Sequence, residues 1–219
     1  MKNKKTAAAD TLHLDEIVKD TLLLVTGLSD LYTQEHSVMV AELAARIAER
    51  LHILPAGIEK IKLAGYLHDI GKHAIPAGLL AKPGKLSAPE YELVKTHVTV
   101  GCELLQKLKV SDDVVRMVGE HHERIDGSGY PAGLKGEEIS LGGQILGVAD
   151  VISALVSKRT YRTPSGVREV GQILMSETPH KMAPEVVLAA LDCLETEVGD
   201  VFTLSDKIGD LLDEGRRYH

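Results

Sequence analysis

The chain has 219 residues and a formal net charge of −7, with 44% hydrophobic residues, one Phe and no Trp. That balance excludes a general surface for long nucleic acid, which needs a basic stripe, and an aromatic platform for single strands. A chain of this length can fold as one domain without disulfides or a structural metal, so Cys102 and Cys193 are read as isolated buried thiols in a reducing compartment. No stretch approaches the roughly 20 apolar residues of a membrane-spanning helix, and the basic start MKNKKTAAAD has no apolar core behind it. No membrane insertion is expected, and the expected location is cytoplasmic.

With so few aromatics the core must be Leu, Ile, Val and Ala, which favours helices. Residues 1–12 read as a frayed leader. From residue 14 to 28 the apolar positions Leu14, Ile17, Val18, Leu22 and Val25 recur at helical spacing, giving a short helix that packs on the domain or against a second subunit. Residues 1–32 are therefore taken as leader plus short helix, and 33–219 as the main domain with its C-terminal helices. Over 33–51, Val40, Leu43, Ala44, Ile47 and Leu51 form one stripe, with His36 one turn before Val40. Pro55-Ala56-Gly57 breaks that helix, and the next is expected over 58–70, ended by Gly71. Pro76, Gly78, Pro83 and Gly84 mark a loop over 73–85 with at most a short helix. Ser87 and Glu90 form a capping-box pattern that starts a helix running to about Leu105 and carrying His97. Ser111-Asp112-Asp113 starts another, which ends at His121-His122. Gly127, Gly129, Gly133 and Gly136 then forbid a long regular element. A helix resumes near Gly143 and carries Asp150. Amphipathic segments follow at 165–176 and 184–194, with a last one at 205–214. The fold class is all-α, a compact helical bundle in one domain without internal repeats.

Histidines and acids gather at separated points of this pattern: His36, His68-Asp69, His97, His121-His122 and Asp150. Imidazole and carboxylate donors together suit borderline or hard divalent metals. A carboxylate has two oxygens, so Asp69 could bridge two ions. His36, His68 and Asp150 would then serve one side, and His97, His121 and His122 the other. Two such ions about 4 Å apart are a common arrangement for hydrolysing phosphate esters, through a hydroxide held between them. Lys72, three residues past Asp69, would bind or neutralise phosphate. Each histidine taken singly is as well explained by a core or surface role. The group with Lys72 and the Gly-rich segment is not. His73 lies close to the group without a clear part in it, and His13, His52, His180 and His219 are read as structural or surface.

The motifs GYLHDIGKHAIP at 65–76, LLAKPGKLSAPE at 79–90, KTHVTVG at 95–101, HHERIDGSGYPAGLKGEEI at 121–139, GVAD at 147–150 and ALVSKRTYR at 154–162 resemble the HD-GYP branch of the HD-domain phosphohydrolases. The GYP triplet is Gly129-Tyr130-Pro131. The resemblance covers about 33–190. It implies an all-α bundle, metal-dependent hydrolysis of cyclic di-GMP to pGpG or GMP, and His36, His68, Asp69, His97, His121, His122 and Asp150 as metal ligands. It also implies iron or manganese more often than zinc, and Lys72 as a phosphate contact.

Two departures matter. A third-metal Glu, present in some relatives one turn before the first ligand histidine, is here Tyr32, so two metals are expected. Many relatives carry Ala-Arg where this chain has Gly143-Gln144, so a guanidinium that could clamp phosphate is missing unless position 144 faces the helix-packing surface. No sensor domain is seen in the sequence, so regulation would come from a partner chain or a homodimer. Around the expected site, Arg124 and Asp126 would pair to set the GYP loop or meet substrate. Gly129 would permit close backbone approach, and Tyr130 would stack on a guanine or pin the loop. Arg159, Tyr161 and Arg162 would reach a phosphate or base, and Lys82 and Lys85 flank a candidate lid. The leading expectation is a cyclic di-GMP phosphodiesterase. The alternatives are a phosphohydrolase of another nucleotide and a catalytically weak cyclic-dinucleotide-binding signalling module.

Overall fold

The helix carrying His36 organises the bundle. In the computed structural model, which describes residues 17–27, 31–157 and 166–196, a helix over 17–27 (α1) precedes Leu31–Arg50 (α2). Four members of the predicted α2 stripe, Val40, Leu43, Ala44 and Ile47, are buried, whereas Leu51 falls just past the helix end and is half-buried. α2 packs against α3 (Pro55–Leu67), α7 (Leu141–Val156) and α9 (Pro184–Thr196). α1 joins this core through Val18.

The 58–70 expectation is corrected at both ends. Pro55 opens α3 instead of only ending the helix before it, because a first-turn residue needs no N–H and the fixed φ of proline suits that position. The helix stops at Leu67, and Ile70 belongs to a 3-10 turn over Ile70–Ala74. His68 and Asp69 therefore sit in the gap, with Asp69 at φ −99° and ψ 5°, a sparsely occupied backbone region common at active sites. A short α4 (Ala77–Leu80) follows. α5 (Ala88–Lys107) opens on the expected capping box, with the Ser87 N–H and hydroxyl both donating to Glu90 Oε2 at 2.8 Å.

α6 (Asp112–Glu120) delivers His121 at its end. Residues 121–140 form a loop with one isolated antiparallel bridge, Asp126 to Lys135, and one 3-10 turn, Gly136–Glu138. Ser140 caps the start of α7, its hydroxyl accepting from the Gly143 N–H at 3.1 Å. Buried Glu120 fixes this junction by accepting from the Ser140 N–H (2.9 Å), the Ser140 hydroxyl and Arg116 Nε (2.6 Å). α8 (Val167–Glu177) and α9 close the bundle. The expected helix at 205–214, the 1–12 leader, and Arg159, Tyr161 and Arg162 lie outside the described residues. The architecture is an all-α bundle.

Two glycines set how closely the site-bearing segments meet. A Cβ on Gly71 would lie 1.9 Å from the His97 carbonyl oxygen and 2.7 Å from the Gly101 nitrogen, so the 3-10 turn touches α5 backbone to backbone. A Cβ on Gly147 would lie 2.7 Å from the His121 carbonyl oxygen, which seats α7 against the end of α6. Since the Gly71 obstacle is backbone and cannot rotate away, Gly71→Ala should lower folding stability by about 3 kcal/mol, the upper range of overpacking costs. Urea unfolding of wild type and variant measures this. An unchanged midpoint would mean the turn can move off α5 freely.

Candidate metal centre

Each candidate side chain is aimed by its own helix. His68, His97 and His121 repeat one device: Nδ1 lies 2.8 Å from the Gly65 carbonyl, 2.7 Å from the Val94 carbonyl and 2.6 Å from the Val118 carbonyl, each three residues earlier. A carbonyl only accepts, so the proton sits on Nδ1 and the Nε2 lone pair points inward. His36 is braced through Nδ1 by Ser153 Oγ at 2.9 Å.

These inward lone pairs meet carboxylates. Asp69, 2% exposed, has Oδ2 at 3.3 Å from His68 Nε2 and 3.6 Å from His36 Nε2. Its Oδ1 is 3.5 Å from His97 Nε2. Asp150 Oδ1 is 3.1 Å from His36 Nε2 and 3.9 Å from His68 Nε2, and its Oδ2 is 3.9 Å from His122 Nδ1. Two ligand sets result, His36-His68-Asp69 and His97-His121-His122, each with donor atoms within 4.8 Å of one another. The seven residues expected from the sequence are thus brought together, and the two oxygens of Asp69 face different sets.

Acceptors cannot satisfy acceptors. The Nε2 atoms of His68, His97 and His121 are buried and have no hydrogen-bond partner, a cost that calls for an explanation. A proton is one remedy, but burial lowers His97 and His121. His122 and His68 press His121 further down, well below the usual histidine range. Burial likewise pushes His122 to about 3, against the pull of Asp150. Burial also lowers His68, yet Asp69 beside it leaves it raised overall. Burial opposes ionising Asp69, but His68 and Lys72 hold its carboxyl well below the usual range. A divalent cation satisfies the whole set. Two donors each about 2.1 Å from one ion lie roughly 3–3.5 Å apart, which is the spacing seen around Asp69. With no cysteine in the cluster, the donors suit an ion that takes nitrogen and oxygen.

The cluster opens on one side. His36, His68, Asp69, His97 and His121 are closed off, whereas the side chains of Asp150, His122 and Lys72 are 14%, 19% and 29% exposed. Lys72 Nζ lies 2.5 Å from Asp69 Oδ2. His73 is not part of the group; its Nε2 is 3.0 Å from Thr26 Oγ1, linking the 3-10 turn to α1.

The GYP loop lies against this opening. Tyr130 stacks on His122, with ring centroids 4.7 Å apart and planes tilted by 33°, and its N–H donates to the His122 carbonyl at 3.2 Å. Gly129 permits the approach, since a Cβ there would be 2.4 Å from both Glu123 Cα and Arg124 N. Arg124 and Asp126 do not pair as expected. Arg124 Nη1 donates to the carbonyls of His121 (3.3 Å) and Glu123 (2.7 Å), while Asp126 accepts from the Ser128 N–H at 2.8 Å. Lys82 donates to both Glu90 oxygens at 2.7 Å, tying the 76–87 loop to α5. Gln144 faces away from the cluster. Its amide donates to the Ile139 carbonyl at 3.0 Å, and it lines a small cavity with Arg124 and Lys181 that contains none of the seven residues.

Two residues escaped the sequence reading. Glu123, buried, accepts from the N–H groups of Ala132 (2.7 Å), Gly133 (3.1 Å) and Leu134 (3.0 Å), and so holds the loop in place. Its signal was an acid directly after the histidine pair and before a Gly-rich run. Ser153 stands one turn beyond Asp150.

A His–Asp cluster at the heart of an all-α bundle defines the class of HD-type metal sites. The HD domain family matches residues 13–186, and the chain belongs to it, in the HD-GYP-like branch of metal-dependent phosphohydrolases related to cyclic-dinucleotide phosphodiesterases. The chain is 37% identical over 224 residues to a Thermotoga maritima protein named cyclic di-GMP phosphodiesterase, covering 99% of this chain and 60% of that one. It is 38% identical over 168 residues to a Vibrio cholerae serotype O1 protein named 3'3'-cGAMP-specific phosphodiesterase 1, covering 76% and 39%. The chain thus spans three-fifths or less of the length of these curated relatives. The solved structure of Bd1817, an HDG"Y"P protein from Bdellovibrio bacteriovorus, matches with a TM-score of 0.64 at 23% identity, over 83% of this chain and 63% of that one. At that identity the likeness is one of fold. Among the described residues no helix is long and apolar enough to cross a membrane.

The lowered histidines fix the sign of a pH effect. Below about pH 6.5 the unfolded chain protonates these residues, whereas folded His97, His121 and His122 resist protonation. Stability contributed by them is therefore lost as pH falls from about 6.5 toward 3, with His68 acting in the opposite direction. In protein stripped with a chelator, the urea midpoint should fall between pH 7 and pH 5, and His122→Gln should make that fall shallower. A midpoint that rises on acidification would contradict the assignment.

Proposed function

We propose that this chain hydrolyses a phosphodiester of a cyclic dinucleotide, cyclic di-GMP in the first place, to pGpG and/or GMP at a centre of two divalent ions, iron or manganese. The observation that carries the reading is Asp69, a buried carboxylate whose two oxygens face separate histidine sets. His36, His68, Asp150 and Asp69 Oδ2 would hold one ion. His97, His121, His122 and Asp69 Oδ1 would hold the other. When bound, the pair supplies Lewis-acid charge for the phosphodiester oxygens and eases deprotonation of the attacking water.

The chain's own groups do the rest. The backbone-braced imidazoles keep the ligand lone pairs aimed without a reorganisation cost. Lys72, at the border between the cluster and solvent, offers a charged donor to a nonbridging phosphate oxygen and to charge developing there. Tyr130, stacked on His122, walls the opening and limits how a substrate ring can enter. Arg124, Asp126 and Gly129 support this reading as shapers of the loop, and Arg159 and Tyr161 remain proposed substrate contacts.

A second reading, hydrolysis of a mixed cyclic GMP–AMP dinucleotide, is favoured by the 38% identity to the Vibrio cholerae protein of that name. Assaying protein loaded separately with Mn(II) and Fe(II) against a panel of cyclic dinucleotides decides between them. Turnover of cyclic di-GMP supports the first reading, and preference for the mixed dinucleotide supports the second. Binding without turnover would mean a signalling module instead. Asp69→Ala should lose both ions and all turnover while the helices persist by circular dichroism; full activity would remove its bridging role. Lys72→Ala should keep the metal content and lose roughly 10- to 100-fold in kcat/KM. Unchanged kinetics would make this lysine a surface group.

A further inference from the structure

A cyclic dinucleotide closes two phosphodiesters into one ring, so when one reaches the Asp69 cluster the other must rest nearby on the open side. That side is bounded by Asp150, His122 and Lys72, and the Tyr130 ring on His122 extends it outward. Next to Tyr130 is a feature that the proposed chemistry leaves unused, the lysine that opens the KTHVTVG motif. Lys95 Nζ lies 5.3 Å from the centroid of the Tyr130 ring and 5.0 Å from that of Tyr91, and the two rings meet edge to face at 6.4 Å. An ammonium placed over two aromatic faces is held by cation–π attraction, so its charge is positioned before a ligand arrives.

We infer that Lys95, cradled by Tyr91 and Tyr130, is the contact for the second, non-reacting phosphate of the cyclic dinucleotide, with the exposed Tyr91 ring as the adjoining base shelf. The inference rests on the proposed function and names the part of the substrate that the metal cluster does not reach. Among the described residues, Lys82 is engaged by both oxygens of Glu90, and Arg124 by backbone carbonyls. The present partner of Lys95 is Glu92 Oε1 at 2.7 Å, an i,i+3 carboxylate that is 67% exposed. Such a solvated pair is weak, and a dianionic ligand can displace it. Tyr91 is 47% exposed, leaving ring surface on which a purine can stack.

The test compares Mn(II)-loaded wild type, Lys95→Gln, Lys95→Arg and Glu92→Gln on two substrates, cyclic di-GMP and bis(p-nitrophenyl) phosphate, which has one diester and no second phosphate. Lys95→Gln should raise KM for cyclic di-GMP about tenfold, the loss of one charge-assisted contact. The effect should fall on KM more than on kcat and be far smaller on bis(p-nitrophenyl) phosphate. Lys95→Arg should restore most of the affinity, and Glu92→Gln should lower KM for cyclic di-GMP. Unchanged cyclic di-GMP kinetics in Lys95→Gln, or equal losses on both substrates, would overturn the inference while leaving the proposed function standing. Wild type that cleaves bis(p-nitrophenyl) phosphate but no cyclic dinucleotide would overturn the proposed function, and this inference with it.

Discussion

A carboxylate that is almost wholly buried, with histidine nitrogens facing each of its oxygens, is the group on which the rest of the structure depends. Burying Asp69 without a positive partner would be very costly, and the chain surrounds it with Lys72 and the imidazoles of four segments. Those segments are distant in sequence: α2 brings His36, the end of α3 brings His68, α5 brings His97, and the end of α6 brings His121 and His122, with α7 adding Asp150. Converging them on one carboxylate requires close helix contacts. Close contacts are made where a side chain is absent, at Gly71 against α5, at Gly65 against α2 and at Gly147 against the end of α6. The bundle is therefore shaped by its site as much as by its Leu, Ile and Val core.

The same arrangement carries a stability cost. Three buried imidazole nitrogens have no hydrogen-bond partner, and a cation in the cluster would satisfy them. This is the usual compromise of a pre-formed site, in which local strain is compensated by the surrounding structure. Here the compensation is visible in the Nδ1 bonds to Gly65, Val94 and Val118, in Ser153 behind His36, and in Glu123 and Glu120, which fasten the loop and the start of α7.

Much of this was legible in the sequence, for a physical reason. The α2 stripe from Val40 to Ile47 and the Ser87–Glu90 box are local rules that hold, and a helix starts after Ser111 as expected although its hydroxyl makes no cap bond. The seven His and Asp residues were legible because acids and imidazoles recurring on otherwise apolar helices need a shared partner. What was not legible depends on direction, which spacing alone does not encode. Gln144 stands on the same helix as Asp150, six residues earlier, yet points to the Ile139 carbonyl and a separate cavity. Arg124 and Asp126, two residues apart, turn to different backbone groups because the loop between them bends. Pro55 was read as a breaker, although the same missing N–H makes it a good first residue of α3.

The central claim is that Asp69 bridges two ions. The most direct measurement is the anomalous difference density of crystals of anaerobically purified, Mn(II)-loaded protein, collected at the manganese edge. The account predicts two peaks, one beside each oxygen of Asp69, the first among His36, His68 and Asp150 and the second among His97, His121 and His122. A single peak, or a third ion held by protein side chains, would contradict it.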